Sequence, residues 1–312
     1  CPAHLRRDQP TVPAGVEAVV LTTPDVSRIR IAIWAGGTRG TVIVMPGRTE
    51  YIEKYGAVVS ELCARDLSVV VIDWRGQGLS ARPIAGRSIG FVRDFAEYQQ
   101  DLATVLAAPE GALLPTPRVL LAHSMGGCIA LRALTEGLDV AGALFSAPMW
   151  GIELPKPTGP VKGVIHAASQ LGLGQSYASG TGQTTYVLTT TFEKNTLTTD
   201  AAVFERLVAE ARAAPELTLG GPSYGWIAAA LREFRALNRA APPKTPILCF
   251  LGTAECVVEP GAIRRQTAPQ PKAALITLAG ARHEILMEDA PIRAQAWAEI
   301  DGFLATHLPM AG

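Results

Sequence analysis

Residues 119–127 read Val119-Leu-Leu-Ala-His-Ser-Met-Gly-Gly127, an apolar run that stops at His123-Ser124. The chain continues through Gly126 and Gly127 into Cys128-Ile-Ala-Leu-Arg-Ala-Leu134, whose apolar spacing is that of a helix. The stretch predicts a strand, a sharp turn and a helix, with a serine at the bend. Such a bend holds the serine in a strained backbone conformation, so its hydroxyl stands clear of the sheet and the next N–H points at a reacting carbonyl. Small residues two before and two after the serine let strand and helix approach closely. Here they are Ala122 and Gly126, and Ala122 departs from the usual Gly-x-Ser-x-Gly pattern by one methyl. An ordinary loop serine needs neither flank, so the context favours Ser124 as a nucleophile. The rest of the chain must then supply a base, an acid and an oxyanion hole.

Upstream of the bend, residues 16–21 and 28–34 alternate as strands do and are joined by a turn at residues 23–27, which predicts an opening hairpin on a sheet edge. Thr41-Val-Ile-Val-Met45 and Leu67-Ser-Val-Val-Val-Ile72 are continuous apolar runs, the mark of strands buried on both faces. Helical patterns follow them at residues 51–65 and 91–107. Downstream, Val140-Ala-Gly-Ala-Leu-Phe145 repeats the buried-strand pattern. Strands alternating with helices at this spacing predict an α/β fold with a mostly parallel central sheet and helices on both faces. The alternation lapses after Met149. Residues 150–225 are rich in Gly, Thr and Pro, with helical pieces such as 201–213 and no convincing strand. A structureless loop of that length inside a compact domain is improbable, so the segment is expected to be an inserted cap. Residues 1–149 and 226–312 would form the core, the latter with a helix near 226–239, strands at 246–251 and 274–278, and a closing helix at 291–307.

The whole chain narrows the function classes. Its 312 residues suffice for one large core plus an insertion, and 48% hydrophobic against 18% charged residues is too apolar for disorder. Lys plus Arg equals Asp plus Glu at 28 each, so the balance points to no nucleic-acid partner. No uninterrupted apolar segment approaches the roughly 18 residues of a membrane-spanning helix, so membrane contact is expected to be peripheral, at an inner membrane. The cysteines at 1, 63, 128, 249 and 256 are scattered and lack metal-type clustering. Four lie in or beside apolar patterns where Cys is expected buried, and a reducing, cytoplasmic compartment is the economical reading. Cys1 matches a processed lipoprotein start, although a trimmed start explains it as well.

Chemistry in open parallel sheets collects outside the carboxyl ends of the strands. The strand at 246–251 runs into Gly252-Thr-Ala-Glu255, and that at 274–278 into Ala279-Gly-Ala-Arg-His283-Glu. Ser124, Glu255 and His283 follow the chain order Ser, acid, His.

With these residues in place, the chain resembles the α/β-hydrolases, and among them the lysophospholipase and monoacylglycerol-lipase group, bacterial lysophospholipase L2-type proteins most of all. The resemblance runs from about residue 28 to 307. It is carried by Pro46-Gly-Arg-Thr-Glu-Tyr-Ile-Glu-Lys-Tyr55, Asp73-Trp-Arg-Gly-Gln-Gly-Leu-Ser80, the bend itself, Ser146-Ala-Pro-Met149, Gly220-Gly-Pro-Ser-Tyr-Gly-Trp226 and Ala281-Arg-His-Glu-Ile-Leu286. It implies a serine esterase acting on lysophospholipids or monoacylglycerols, with no metal or other cofactor. His283 would be the base and Glu255 its acid partner, although the family's acid is usually Asp and Glu259 is a rival. The backbone N–H groups of Met125 and Arg48 would form the oxyanion hole, each contributing roughly 3 kcal/mol. The Arg48 side chain is expected to pair with Glu50 rather than to reach toward a phosphate at the pocket mouth, and Asp73 and Arg75 to belong to a structural turn. Inward-facing cap aromatics, Trp150, Tyr177, Tyr186, Phe192, Phe204 and Tyr224, would line an acyl pocket. A carboxylesterase of small esters, a lipid acyltransferase and a non-catalytic binding protein on the same fold are the competing readings. A dehalogenase or epoxide hydrolase is disfavoured, because the bend carries a serine. Sequence does not set the oligomeric state.

Overall fold

In the computed structural model, which describes all residues except 1, 2, 4, 6–11, 85–87, 109–113, 155, 157 and 309–312, eight strands form one sheet. They are β1 (Val16–Thr22), β2 (Arg28–Trp34), β3 (Thr41–Met45), β4 (Ser68–Asp73), β5 (Arg118–His123), β6 (Gly142–Ser146), β7 (Ile247–Gly252) and β8 (Ala273–Leu278). The helices are α1 (Gly56–Cys63), α2 (Ala96–Ala107), α3 (Met125–Thr135), α4 (Thr158–Ala168), α5 (Ala201–Ala213), α6 (Tyr224–Leu237), α7 (Pro260–Thr267) and α8 (Ala290–His307). Across the sheet the order is β1-β2-β4-β3-β5-β6-β7-β8. β2 is antiparallel to β1 and β4, and every other neighbouring pair is parallel.

The continuous apolar runs follow from burial on two sides. In β3, Ile43 and Met45 join a core under α2, α3 and α6, while Val42 and Val44 join another under α1 and α8. Strand β5 divides the same way, Leu120 and Ala122 against Val119 and Leu121. Each such Val, Leu or Ile contributes about 1.5–3 kcal/mol relative to exposure. After β3 the chain turns to β4 on one side, and β5 then enters on the other, so the crevice between the carboxyl ends of β3 and β5 is the sheet's switch point.

Several boundaries differ from the sequence reading. The helix expected from residue 91 begins at Ala96, because Asp94 accepts a hydrogen bond from the Ala96 N–H at 2.9 Å and sets its start. The helical stretch after β3 starts as a 3-10 turn, Ile52–Tyr55, before α1. Helix α7 escaped notice, although Pro260 at its first turn is the usual signal. Cys128 and Cys249 are buried as expected, but Cys63 and Cys256 are exposed. Cys1 lies outside the described residues. Among those described, no helix is long and apolar enough to cross a membrane.

Candidate active site

Ser124 sits between β5 and α3 with φ +49° and ψ −115°, a conformation that costs a non-glycine residue of order 1–3 kcal/mol. The bend is pinned on both sides. The Ser124 N–H donates to the Ser146 carbonyl at 3.1 Å, and the Ser124 carbonyl accepts from Gly127 at 2.9 Å and Met149 at 2.8 Å. A Cβ on Gly126 would lie 1.9 Å from the Met45 carbonyl oxygen, which is why only glycine fits where α3 crosses β3. Gly126→Ala should therefore cost about 3 kcal/mol or more by urea unfolding. Gly163→Ala, in α4 with nothing within 4 Å, should stabilise by no more than about 1 kcal/mol. A tolerated Gly126→Ala would mean that β3 and α3 are not in this contact.

Glu255 and His283 come from the ends of β7 and β8, which are paired at Gly252 and Leu278. The loops after them are laced together, the Thr253 N–H to the Leu278 carbonyl at 2.9 Å and the Ala254 N–H to the Ala281 carbonyl at 3.0 Å. Glu255 Oε2 lies 2.7 Å from His283 Nδ1, and Oε1 accepts from the Val257 and Val258 N–H groups at 2.6 and 3.1 Å. Burial pushes the Glu255 carboxyl up, but His283 and the two N–H groups outweigh it and hold it below its ordinary 4.5. The extra methylene of Glu is taken up by a carboxylate folded back over its own loop. Glu259 is turned away, ion-paired with Arg265 at 2.7 Å.

The Pro46–Glu50 loop is held by groups that the sequence reading did not single out. Trp74 Nε1 donates to the Pro46 carbonyl at 2.9 Å, Gln77 Nε2 to the Gly47 carbonyl at 2.9 Å, and the Thr49 N–H to Gln77 Oε1 at 3.1 Å. The Gly47 N–H donates to Glu50. Among the described residues neither the Arg48 nor the Met125 N–H has a protein acceptor, and Met125 opens α3, where the helix leaves its first N–H groups free. Gly47, next to Arg48, packs against the nucleophile bend, where an added Cβ would lie 3.0 Å from the Ser124 Cβ. The Asp73–Ser80 turn is braced by buried charges, Asp73 and Glu53 on Arg30 and Asp101 on Arg75.

Behind Ser124 lies a buried charge cluster. Lys54 Nζ bridges Glu50 and Glu284, the latter at 2.6 Å, and Tyr55 donates to Glu50 at 2.5 Å. His123 Nδ1 faces the Ser146 carbonyl at 3.0 Å, while its Nε2 faces Glu284 at 3.6 Å and Glu50 at 3.9 Å. Glu50, His123 and Glu284 have the mutual spacing of metal ligands, within 4.8 Å, but the cation between the two carboxylates is the ammonium of Lys54. Burial alone would lower the His123 pKa, yet Glu284 and Glu50 raise it above the ordinary 6.5. A protonated His123 makes the quartet neutral. Because the folded value is raised, this stabilisation is full below pH 6.5 and is lost as pH rises through the folded value. The Tm gap between the parent and His123→Asn should accordingly shrink above pH 6.5; a gap constant from pH 6 to 9 would contradict a charged His123.

The His283 ring packs against His123, with centroids 4.7 Å apart, and Ser124, His123 and His283 share the wall of a cavity of about 440 Å³. Its remaining lining is mostly apolar, with Met149, Leu154, Val187, Leu207, Trp226 and Ile227 among the contributors. Of the cap aromatics expected there, only Tyr186 lines it. Trp150 packs edge-on against Phe145 in the core, Phe192 packs against Phe204, and Tyr224 bonds Ser179. Tyr51 and Trp226 are the aromatics that were missed. Nor does Arg48 pair with Glu50, whose carboxylate is taken by Gly47, Lys54 and Tyr55.

Residues 36–290 match the family model Hydrolase_4, described as serine aminopeptidase, S33. The chain is 31% identical over 284 residues to lysophospholipase L2 of Escherichia coli (strain K12), covering 87% of this chain and 82% of that protein. It is 28% identical over 270 residues to a probable lysophospholipase L2 of Haemophilus influenzae, covering 85% and 84%. Among solved structures it resembles a soluble variant of monoglyceride lipase from Saccharomyces cerevisiae, with TM-score 0.74, 20% identity, and 95% and 98% of the two chains covered.

Proposed function

Since the chain belongs to the Hydrolase_4 family, serine aminopeptidase S33, and has the α/β-hydrolase fold, we propose that it is a serine ester hydrolase releasing a fatty acid from a lysophospholipid or monoacylglycerol through an acyl-enzyme. The observation that carries this reading is the apolar cavity of about 440 Å³ that has Ser124 and His283 on its wall, with Glu255 on the His283 Nδ1 behind it. Ser124 Oγ attacks the ester carbonyl while His283 Nε2 takes its proton and Glu255, on Nδ1, stabilises the imidazolium. The Arg48 and Met125 N–H groups receive the negative oxygen. His283 returns the proton to the departing alcohol. It then deprotonates a water, which attacks the acyl-enzyme, frees the fatty acid and restores Ser124.

Residues 150–225 act as a cap over the acyl chain. They carry Leu154, Val187 and Leu207 of the cavity wall, together with exposed Val164, Leu171 and Leu173, which suit peripheral contact with a lipid surface. A panel of lysophospholipid, monoacylglycerol, butyrate and palmitate esters and an aminoacyl anilide tests the reading. Turnover confined to butyrate would make the chain a small-ester carboxylesterase. Acyl transfer to added lysophospholipid in place of release would make it an acyltransferase. Turnover of the anilide alone would make it a peptidase.

A further inference from the structure

Besides the His123 imidazole, two cations among the described residues line the cavity, and they are not alike. Lys54 is bound by two carboxylates. Arg48 has no carboxylate partner among the described residues: its Nη2 donates to the Gly220 carbonyl at 3.0 Å, its guanidinium carbon lies 5.1 Å from the Trp226 ring centre, and its buried Nε has no acceptor. The protein enclosing it lowers its pKa to about 10, so it is still a cation at neutral pH. A guanidinium is a planar fork of five donors suited to phosphate oxygens, and this one has most of its donors unused. Of the other charges on the wall, Glu50, Glu284, Lys54 and His123 satisfy one another, and Glu153 is exposed to solvent.

We propose that the Arg48 side chain is a phosphate subsite, which selects acyl esters with a phosphate-bearing head group over neutral acylglycerols of the same chain length. The inference rests on the lipid-ester reading above. Its geometry follows from the backbone, since the Arg48 N–H is one of the two donors proposed for the scissile carbonyl. In a lysophospholipid the phosphorus follows that carbonyl along the glycerol by about as many bonds as separate the guanidinium from its own backbone nitrogen. A phosphate would supply the acceptor that the Nε lacks.

Binding to the Ser124→Ala protein tests this without turnover, using dodecylphosphocholine, 1-O-dodecylglycerol and inorganic phosphate, each amphiphile below its micelle concentration. Neither amphiphile has a carbonyl, so the readout is independent of the Arg48 N–H. The phosphate amphiphile should bind at least tenfold tighter than the neutral ether. Adding Arg48→Met should abolish that preference, and Arg48→Lys should retain part of it. Arg48→Met should also raise Tm, since it removes an unpaired charge, whereas the loss of a merely structural arginine would lower it. Equal binding of the two amphiphiles, or a preference that survives Arg48→Met, overturns the inference and leaves the lipid reading standing. Inorganic phosphate binding as tightly as the amphiphile would make this a free-phosphate site and overturn the head-group assignment. If neither amphiphile binds, the lipid reading itself fails and the subsite falls with it.

Discussion

Ser124→Ala should lower ester turnover by about 10⁴-fold or more with the fold intact, because the acyl-enzyme route then has no nucleophile. The strain at φ +49° belongs to the backbone and is the same for alanine, and the bonds that pin the bend use the Ser124 N–H and carbonyl. Stability should therefore change by no more than about 0.5 kcal/mol. Residual turnover of about 10³-fold over water would remain from the oxyanion donors and binding alone. Parent-like turnover in the folded variant would place the chemistry on another group.

Glu255→Gln should be nearly as damaging, by about 10³- to 10⁴-fold. One Glu255 oxygen accepts two backbone N–H groups and the other faces His283 Nδ1. A glutamine that keeps its oxygen on Val257 and Val258 must present its NH₂ to Nδ1. That moves the ring proton to Nε2, the nitrogen that should take the proton from Ser124. Glu259→Gln, which breaks only a partly exposed pair with Arg265, should leave kcat/KM within about twofold. Similar losses from the two substitutions would assign the acid wrongly. The lowered pKa of Glu255 adds a stability arm. The contribution is present above pH 4.5 and lost as pH falls below it, so the acid sensitivity of Tm should be weaker in Glu255→Gln.

Much of the fold was legible because two-sided burial leaves an unmistakable trace. Val42 to Met45 and Val119 to Ala122 can be apolar in succession only if alternate residues face different cores. Ser124 and Glu255 stood out because each comes soon after such a run, and His283 because it follows the half-exposed edge strand β8; all three lie beyond the carboxyl ends of parallel strands. What escaped was set by contacts between distant segments. The Pro46–Glu50 loop takes its shape from Trp74 and Gln77, about thirty residues on, and nothing in its own spacing announces that. Arg48 lies two residues from Glu50, yet the acid is turned inward toward Lys54 and Tyr55, which leaves the guanidinium to the cavity. Glu284 reads as an ordinary neighbour of His283 until Lys54 and His123 are brought to it across the sheet. The aromatics of residues 150–225 could not be sorted, because glycine- and threonine-rich sequence has no period to say which side faces inward.

The most direct test is to treat the protein with a fluorophosphonate and locate the adduct by peptide mass spectrometry. A single phosphonyl group on Ser124, formed at least a hundredfold more slowly in His283→Gln, is the predicted result. A protein that hydrolyses esters but carries the adduct elsewhere, or none, would contradict the assignment of Ser124 as the nucleophile.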